Sequence, residues 1–452
     1  MVINPSIFKS YDLRGIYPTD FNEKIAANIA KAYVTYLNPK KVVVGRDVRS
    51  SGESIKDAVI KAFLEFGVDV IDVGLVSTDM FYFAVGSSDV DGGITISASH
   101  NPKEWNGMNF CKKNAEPMSL ATGLNEIKTI VENDSYKKHL DRNGALTKKD
   151  ILDEFINKCM SFIDSKNIKT QKIVANANFG IDVIILKRII EKYNLPLTLV
   201  PLNGEPDGSF PKGSPNPLLP ENRGEFVELV KKEKANFGVS WDGDGDRCFF
   251  ADENGEFIES YYIIAVLAKE ILKKNPCAKV LIDPRLVWAT SEEIEKSGGK
   301  AIVCKPGMTI IADRMKQEDA IFAGEMSGHF YFRDNYYRDN GIVPLLLILE
   351  MTSKYNTPLS SLANPYITKY HITGELNFET ENKDKIIEEA KNKYSDGKQE
   401  FIDGLSVEYE DWRFNLRKSN TEPLLRLNLE AKSKEVMEQK KKEVVDLIEN
   451  LK

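Results

Sequence analysis

The chain has 452 residues, too many for a single hydrophobic core and enough for three or four domains. Its 42% apolar and 29% charged residues are those of an ordinary globular protein, and a net charge of −7 with interspersed lysines and arginines argues against nucleic-acid binding. No membrane span or membrane partner is expected: the longest apolar stretch, Ile342 to Met351, contains Pro344 and Glu350 and is far too short to cross a bilayer.

Residues 1–14 lack a basic start, an apolar centre and a small-residue cleavage pattern, so no secretory signal is expected. Cys111, Cys159, Cys248, Cys277 and Cys304 are widely spaced, which fits reduced thiols in the cytoplasm and speaks against zinc.

In chain order, Lys41 to Gly45 reads as a buried strand, Ser54 to Phe66 as an amphipathic helix, and Asp69 to Gly74 and Gly93 to Ser97 as further strands. This is a doubly wound α/β pattern. It restarts after a polar hinge at 143–149 with helix 151–163, strand 172–177, helix 182–193 and strand 197–200. A proline-rich loop, 206–220, follows. A third round comprises helix 261–274, strand 279–282, helix 288–296 and strands 301–304 and 320–323. Beyond a polar linker at 355–365 come helix 383–393, strands near 405–410, 413–416 and 424–429, and helix 435–451, a smaller α+β arrangement. The expected domains are 1–147, 148–254, 255–366 and 367–452: three similar α/β domains with mixed sheets and a C-terminal α+β domain, around a central cleft.

Four segments carry chemistry. Ser99, in Thr95-Ile96-Ser97-Ala98-Ser99-His100-Asn101-Pro102, follows a strand at a point where the chain must turn, where open α/β sheets bind ligands. Taken alone, a serine before Asn-Pro more often just caps a turn. No Gly-x-Ser-x-Gly elbow supports a hydrolase triad. In Asp242-Gly243-Asp244-Gly245-Asp246-Arg247, glycines let three hard oxygen ligands converge on magnesium or calcium. Glu253 falls at the twelfth position of an EF-hand count from Asp242, but Arg247 occupies the sixth, where that loop needs glycine. Glu325, Ser327 and His329 alternate, so an extended backbone would point a carboxylate, a hydroxyl and an imidazole the same way, a set suited to sugar hydroxyls and proton movement. A polar solvent face is the competing explanation. Arg417-Lys418-Ser419-Asn420-Thr421-Glu422-Pro423 offers a guanidinium, hydroxyls, an amide and turn N–H groups suited to a phosphate, or an ordinary hairpin turn.

These motifs, in this order over essentially the whole chain, resemble the α-D-phosphohexomutase family, as does the opening Tyr11-Asp12-Leu13-Arg14-Gly15. The resemblance implies an isomerase in which Ser99 is the phosphorylated serine and His100, Arg247 and His329 join it in catalysis. It also implies magnesium held by Ser99, through its phosphoryl oxygen, and by Asp242, Asp244 and Asp246. Substrate contacts are expected from Tyr11, Arg14, Arg285, Gly307, Glu325, Ser327, His329, Arg417, Ser419, Asn420 and Thr421. Phosphoserine would pass its phosphoryl group to a hexose 1-phosphate, the hexose 1,6-bisphosphate would turn within the site, and the other phosphate would return to Ser99; the same bisphosphate would serve as primer.

Glu325-Met326-Ser327, Asp283 to Trp288 and Asp411 to Arg417 resemble the phosphomannomutase branch, which serves GDP-mannose and exopolysaccharide synthesis, and activity on both mannose and glucose phosphates is expected. Phosphoglucomutase as the main activity, a metal-dependent sugar phosphatase and a non-catalytic sugar-phosphate sensor are the alternatives, with a monomer or weak homo-oligomer in each case. Three positions depart from the family pattern: Asn109 stands where a lysine is common unless Lys112 or Lys113 reaches in, Met308 replaces a histidine, and Arg285 replaces a lysine.

Overall fold

The computed structural model describes residues 4–137, 142–419 and 424–452. They form two compact units, one comprising residues up to 257 together with 328–359, the other comprising 258–327 and 360–452. Three α/β portions with mixed sheets and a C-terminal antiparallel sheet make up the fold, as the alternating pattern predicts.

The first sheet runs in the order Leu13–Ile16, Trp105–Lys112, Gly92–Ile96, Lys41–Arg46, Asp69–Leu75, Leu146–Lys148. Its centre is parallel, and helices Glu23–Leu37, Gly52–Glu65 and Thr78–Ser87 connect or flank it. Because helices cover both faces, the central strands are near-continuous apolar runs; Val42, Val43 and Val44 are fully buried. The polar stretch expected as a hinge at 143–149 instead adds an exposed edge strand, Leu146–Lys148, parallel to Asp69–Leu75. Capping fixes helix ends locally: the Asn22 side chain accepts from Ile25 N–H at 3.1 Å, and Asn38 ends the same helix in the left-handed region.

The second sheet includes, in order, Cys248–Ala251, Phe237–Trp241, Gln171–Asn176 and Leu197–Leu202. The segment 328–359, though distant in sequence, belongs to this unit. Its hairpin of Phe330–Phe332 and Arg338–Asp339 leads into helix Ile342–Tyr355, in which residues 342–353 are buried. The longest apolar stretch of the chain is therefore a core helix. Trp241 Nε1 donates to Gly341 O at 2.7 Å, and Gln171 and Asp164 bond to Ser353, Leu349 and Glu350 along the helix.

In the other unit, parallel strands Lys300–Val303, Lys279–Ile282 and Phe322–Gly324 lie side by side with helices Ser260–Lys274, Trp288–Lys296 and Met308–Glu318. The expected linker at 355–365 is largely helix, Leu359–Ile367, with Pro365 inside it. The C-terminal sheet is antiparallel in the order His371–Glu379, Leu424–Ala431, Trp412–Lys418, Leu405–Glu408, Lys398–Glu400, backed by Lys383–Lys393 and Lys434–Leu451. Buried Glu430 joins this sheet to the neighbouring α/β portion, accepting from Arg413 Nη1 at 3.0 Å and Val287 N–H at 2.7 Å.

Gly107 marks how closely backbone meets backbone beside the Ser99 loop: a Cβ there would lie 2.0 Å from Leu13 O and 2.8 Å from Ser97 O. Gly107→Ala is expected to cost about 1–3 kcal/mol in denaturant unfolding. Gly224, the first residue of helix Gly224–Glu233, has nothing within 4 Å of a built Cβ, and Gly224→Ala is expected to stabilise by about 0.4–1 kcal/mol.

Candidate active site

Strand Gly92–Ile96 delivers the chain into a loop in which Ser99 adopts φ 49°. Left-handed backbone at a β-unbranched, non-glycine residue is uncommon and needs surrounding structure to hold it. Ser99 N–H donates to Ser97 Oγ at 2.9 Å, and Ser97 Oγ in turn donates to Asp244 Oδ2 at 2.9 Å. The Ser99 hydroxyl lies 3.2 Å from Asp242 Oδ2 and 3.1 Å from His100 Nδ1. Burial, followed by the nearby charges of Arg247 and Arg14, holds the His100 pKa well below its ordinary value, so this imidazole is neutral at pH 7.

Asp242, Asp244 and Asp246 occupy the turn between strands Phe237–Trp241 and Cys248–Ala251. Gly245 has φ 77°, and a Cβ there would strike Asp182 Oδ1 at 2.4 Å. One oxygen from each aspartate lies within 4.8 Å of the others. Asp244 Oδ2 accepts from Thr78 Oγ1 and Ser97 Oγ, while Asp244 Oδ1 and Asp246 Oδ1 are buried with no hydrogen-bond partner among the described residues. Burial and then Asp244 raise the Asp242 pKa to about 6, and burial, Asp244 and Asp242 push Asp246 well up. Three converging carboxylates, two of them with a buried oxygen lacking a hydrogen-bond partner, fit a hard divalent cation.

Arg247 and His329 form an isolated antiparallel bridge, and Arg247 Nε donates to His329 Nε2 at 3.0 Å. On the other ring edge, His329 Nδ1 is 2.8 Å from Asp339 Oδ2 and 3.8 Å from Asp246 Oδ1. Asp339 is fully buried; burial opposes its charge, but His329 and Arg338 hold its pKa below the ordinary value. The only sequence signal for Asp339 is that it is acidic: its partnership with His329 comes from the hairpin. Arg14 enters from strand Leu13–Ile16, bonding Asp12 Oδ2 at 2.9 Å and Asn101 Oδ1 at 2.5 Å, and so braces the Ser99 loop. Tyr11 is half-buried in the bend before that strand.

Neither Lys112 nor Lys113 substitutes for a lysine at Asn109. In the antiparallel register Met108 lies opposite Ile96 and Lys112 opposite Gly92, roughly 13 Å farther from the Ser99 end. Lys112 is 3.7 Å from Glu116, and Lys113 is 3.3 Å from Asp89.

The second unit holds the other expected contacts. Gly307 precedes helix Met308–Glu318, and its N–H donates to Glu325 Oε1 at 2.9 Å. The extended backbone expected from Glu325 to His329 is not formed: a turn occupies Met326–Ser327 and Gly328 has φ 90°, so alternation alone does not align the three side chains. Ser327 is half-buried. Arg285 forms a buried pair with Asp283, and its Nη1 is 3.5 Å from Glu375 Oε2. Glu375 also accepts from Arg417 Nη2 and Arg426 Nη1, each at 2.9 Å. Burial disfavours its charge, yet Arg285, Arg417 and Arg426 keep its pKa below the ordinary carboxylate value. Ser419 is half-buried with its N–H on Leu424 O; Asn420 and Thr421 lie outside the described residues.

Comparison with known proteins accounts for nearly the whole chain. Family models described as phosphoglucomutase/phosphomannomutase, alpha/beta/alpha domains I, II and III, match residues 5–138, 152–255 and 259–370, and the C-terminal domain of that family matches 375–447. A phosphomannomutase of Escherichia coli is 40% identical over 450 residues, covering 98% of each chain. One from Vibrio cholerae is 42% identical over 457 residues at the same coverage. Among solved structures, a phosphoglucomutase/phosphomannomutase family protein from Burkholderia thailandensis superimposes with a TM-score of 0.89 at 28% identity, over 100% of this chain and 98% of its own. With all four domains matched in order and full-length relatives at this identity, the chain belongs to the phosphoglucomutase/phosphomannomutase family.

Proposed function

We propose that this protein is a phosphomannomutase, interconverting mannose 1-phosphate and mannose 6-phosphate through a hexose 1,6-bisphosphate, and acting on glucose phosphates as well. The observation that carries this reading is the Ser99 hydroxyl, held on a left-handed turn 3.2 Å from the three-aspartate loop. Full-length relatives named phosphomannomutase support the substrate class. Hexose phosphates are the partners and the cytoplasm the location; the five cysteines form no disulfide, and among the described residues no helix is long and apolar enough to cross a membrane.

Ser99 carries the phosphoryl group. Transfer to and from a sugar hydroxyl demands alignment and charge compensation more than covalent assistance. Arg247, beside Asp242 and His329, supplies a fixed positive charge next to the serine. Asp242, Asp244 and Asp246 would hold magnesium, which when bound neutralises developing charge on the phosphoryl oxygens. Arg247 donates to His329 Nε2, and Nδ1 on the other edge of the ring faces Asp339. Exchange of Arg247 for a substrate hydroxyl makes Nε2 the proton acceptor. Neutral His100 keeps a second hydrogen-bonding nitrogen against the serine oxygen. In the other unit, Glu325, Ser327 and Gly307 contact the sugar, and Arg285, Arg417, Ser419, Asn420 and Thr421 hold the phosphate not being transferred. Contacts to the 3- and 4-hydroxyls do not distinguish epimers at the 2-position, hence the expected dual activity.

Ser99→Ala is expected to abolish both turnover and phosphate incorporation while leaving circular dichroism unchanged; a fully active variant would overturn the assignment. A coupled assay primed with glucose 1,6-bisphosphate should show isomerisation of mannose and glucose 1-phosphates at rates well above glucosamine 1-phosphate. Steady phosphate release without isomerised sugar would instead identify a phosphatase. Asp339→Asn should lower kcat by about 100-fold with little change in KM, through loss of the partner that orients His329.

The metal loop also sets a pH dependence. The folded pKa of Asp242, about 6, lies above that of an unfolded aspartate, so the folded chain binds more protons between those values. Its contribution to stability is present below roughly pH 4 and is lost as pH rises through about 6. Magnesium competes with those protons, so it should raise the thermal unfolding midpoint more at pH 8 than at pH 5, and Asp244→Asn should remove most of that difference.

A further inference from the structure

Arg49 is almost completely buried, at 1% exposure, although it is not a residue of the candidate site. It lies in the loop after strand Lys41–Arg46, and the Ser99 loop follows strand Gly92–Ile96. These strands are parallel neighbours in register, Arg46 opposite Ile96, so both loops leave the sheet at the same end.

A guanidinium has five N–H donors; Arg49 directs four of them at carbonyls of the serine loop and the fifth at Asp47 in its own loop. Nε donates to Asp47 Oδ2 at 3.2 Å. Nη1 donates to Pro102 O and Trp105 O, both at 2.8 Å. Nη2 donates to Ser99 O at 2.7 Å and Asn101 O at 2.6 Å. Four carbonyls that point inward where the chain reverses are thereby satisfied by one side chain. Left unpaired, each would carry a desolvation penalty of about 1–3 kcal/mol. The loop after Pro206 covers the arginine: Arg49 and Gly208 form a parallel bridge, a Cβ on Gly208 would lie 2.1 Å from Val48 O, and the Phe210 ring centroid is 5.1 Å from Arg49 Cζ.

We infer that Arg49 is the positioning residue for the phosphate-carrying serine, holding Ser99 in its left-handed conformation through the loop carbonyls. A buried arginine beside phosphoryl chemistry suggests a phosphate ligand, but with every donor engaged Arg49 has none to offer substrate. Its role is to set where the serine oxygen stands relative to Asp242 and His100. Lysine keeps the charge but, with three donors on one nitrogen, cannot span the same carbonyls.

The inference rests on Ser99 as phosphate carrier, and one experiment separates the two. Purified full-length protein is mixed with labelled glucose 1,6-bisphosphate and magnesium, and label on Ser99 is followed in a single turnover, normalised to folded protein by circular dichroism. If the parent protein takes up no label, the carrier assignment itself falls. With the parent labelled, Arg49→Lys should phosphorylate Ser99 about 100-fold more slowly, the scale of loss for a reacting group displaced by about 1 Å, while KM for mannose 1-phosphate stays within about 3-fold. Guanidinium added to Arg49→Ala should recover about 10-fold of the rate, which general loosening of the fold would not allow. Labelling of Arg49→Lys within about 3-fold of the parent per folded molecule would overturn the inference. So would a loss carried by KM, which would make Arg49 a substrate ligand.

Discussion

Negative charge withdrawn from water is the constraint on which the first unit depends. Asp79, Asp182, Asp242, Asp244, Asp246 and Asp339 are each at most 7% exposed, and burial pushes several of their pKa values up, Asp79 to about 7. Carboxylates in such surroundings are tolerated when protonated, paired or bound to a cation. Pairing and hydrogen bonding satisfy some of them here, and the rest form a candidate cation site. Asp339 is held ionised by His329 and Arg338, Asp244 accepts from Thr78 and Ser97, and the oxygens of the 242–246 turn that lack such bonds converge within 4.8 Å. Ser99 Oγ stands at the edge of this group, 3.2 Å from Asp242 Oδ2.

Backbone economy follows from the same crowding. The Ser99 turn, the 242–246 turn and the hairpin ending at Asp339 approach closely enough that Gly107, Gly245 and Gly341 admit no side chain; a Cβ on Gly341 would lie 2.1 Å from Gly245 O. Polar groups caught between these turns are matched individually: Arg49 covers loop carbonyls, Arg14 binds Asn101, and Gly341 N–H donates to Asp79 Oδ2 at 3.1 Å. Preorganisation of the serine loop is thus distributed over several residues.

The second unit shows the opposite balance, arginines held in place by acids. Glu375 lies against Arg285, Arg417 and Arg426, while Asp283 binds Arg285 and Asp403 approaches Arg417 Nε to 3.7 Å. Arginines ordered in this way avoid the entropic cost of assembling a fixed cluster of positive charge. Glu375 owes its place to a register shift in strand His371–Glu379, where Gly374 has φ 69°.

Sequence alone determined a great deal here, because alternating apolar runs at strand and helix periods reflect burial on both faces of each sheet. Strands Lys41–Arg46, Asp69–Leu75 and Gly92–Ile96, the three-round α/β rhythm and the different C-terminal order were all legible, as were the Ser99 turn and the aspartate turn; Arg417, expected in a loop, ends strand Trp412–Lys418. Helix Ile342–Tyr355 was seen only as an apolar stretch, and helix Leu359–Ile367 was hidden by polar composition and Pro365. What local pattern could not supply was partnership over long separations. The return of 328–359 to the first unit, the pairing of Asp339 with His329, the Gly328 turn that breaks the alternation of Glu325 and His329, and the use of four Arg49 donors on the serine loop all depend on strand order and register. Those contacts are fixed by packing between segments tens to hundreds of residues apart, so only the tertiary structure decided them.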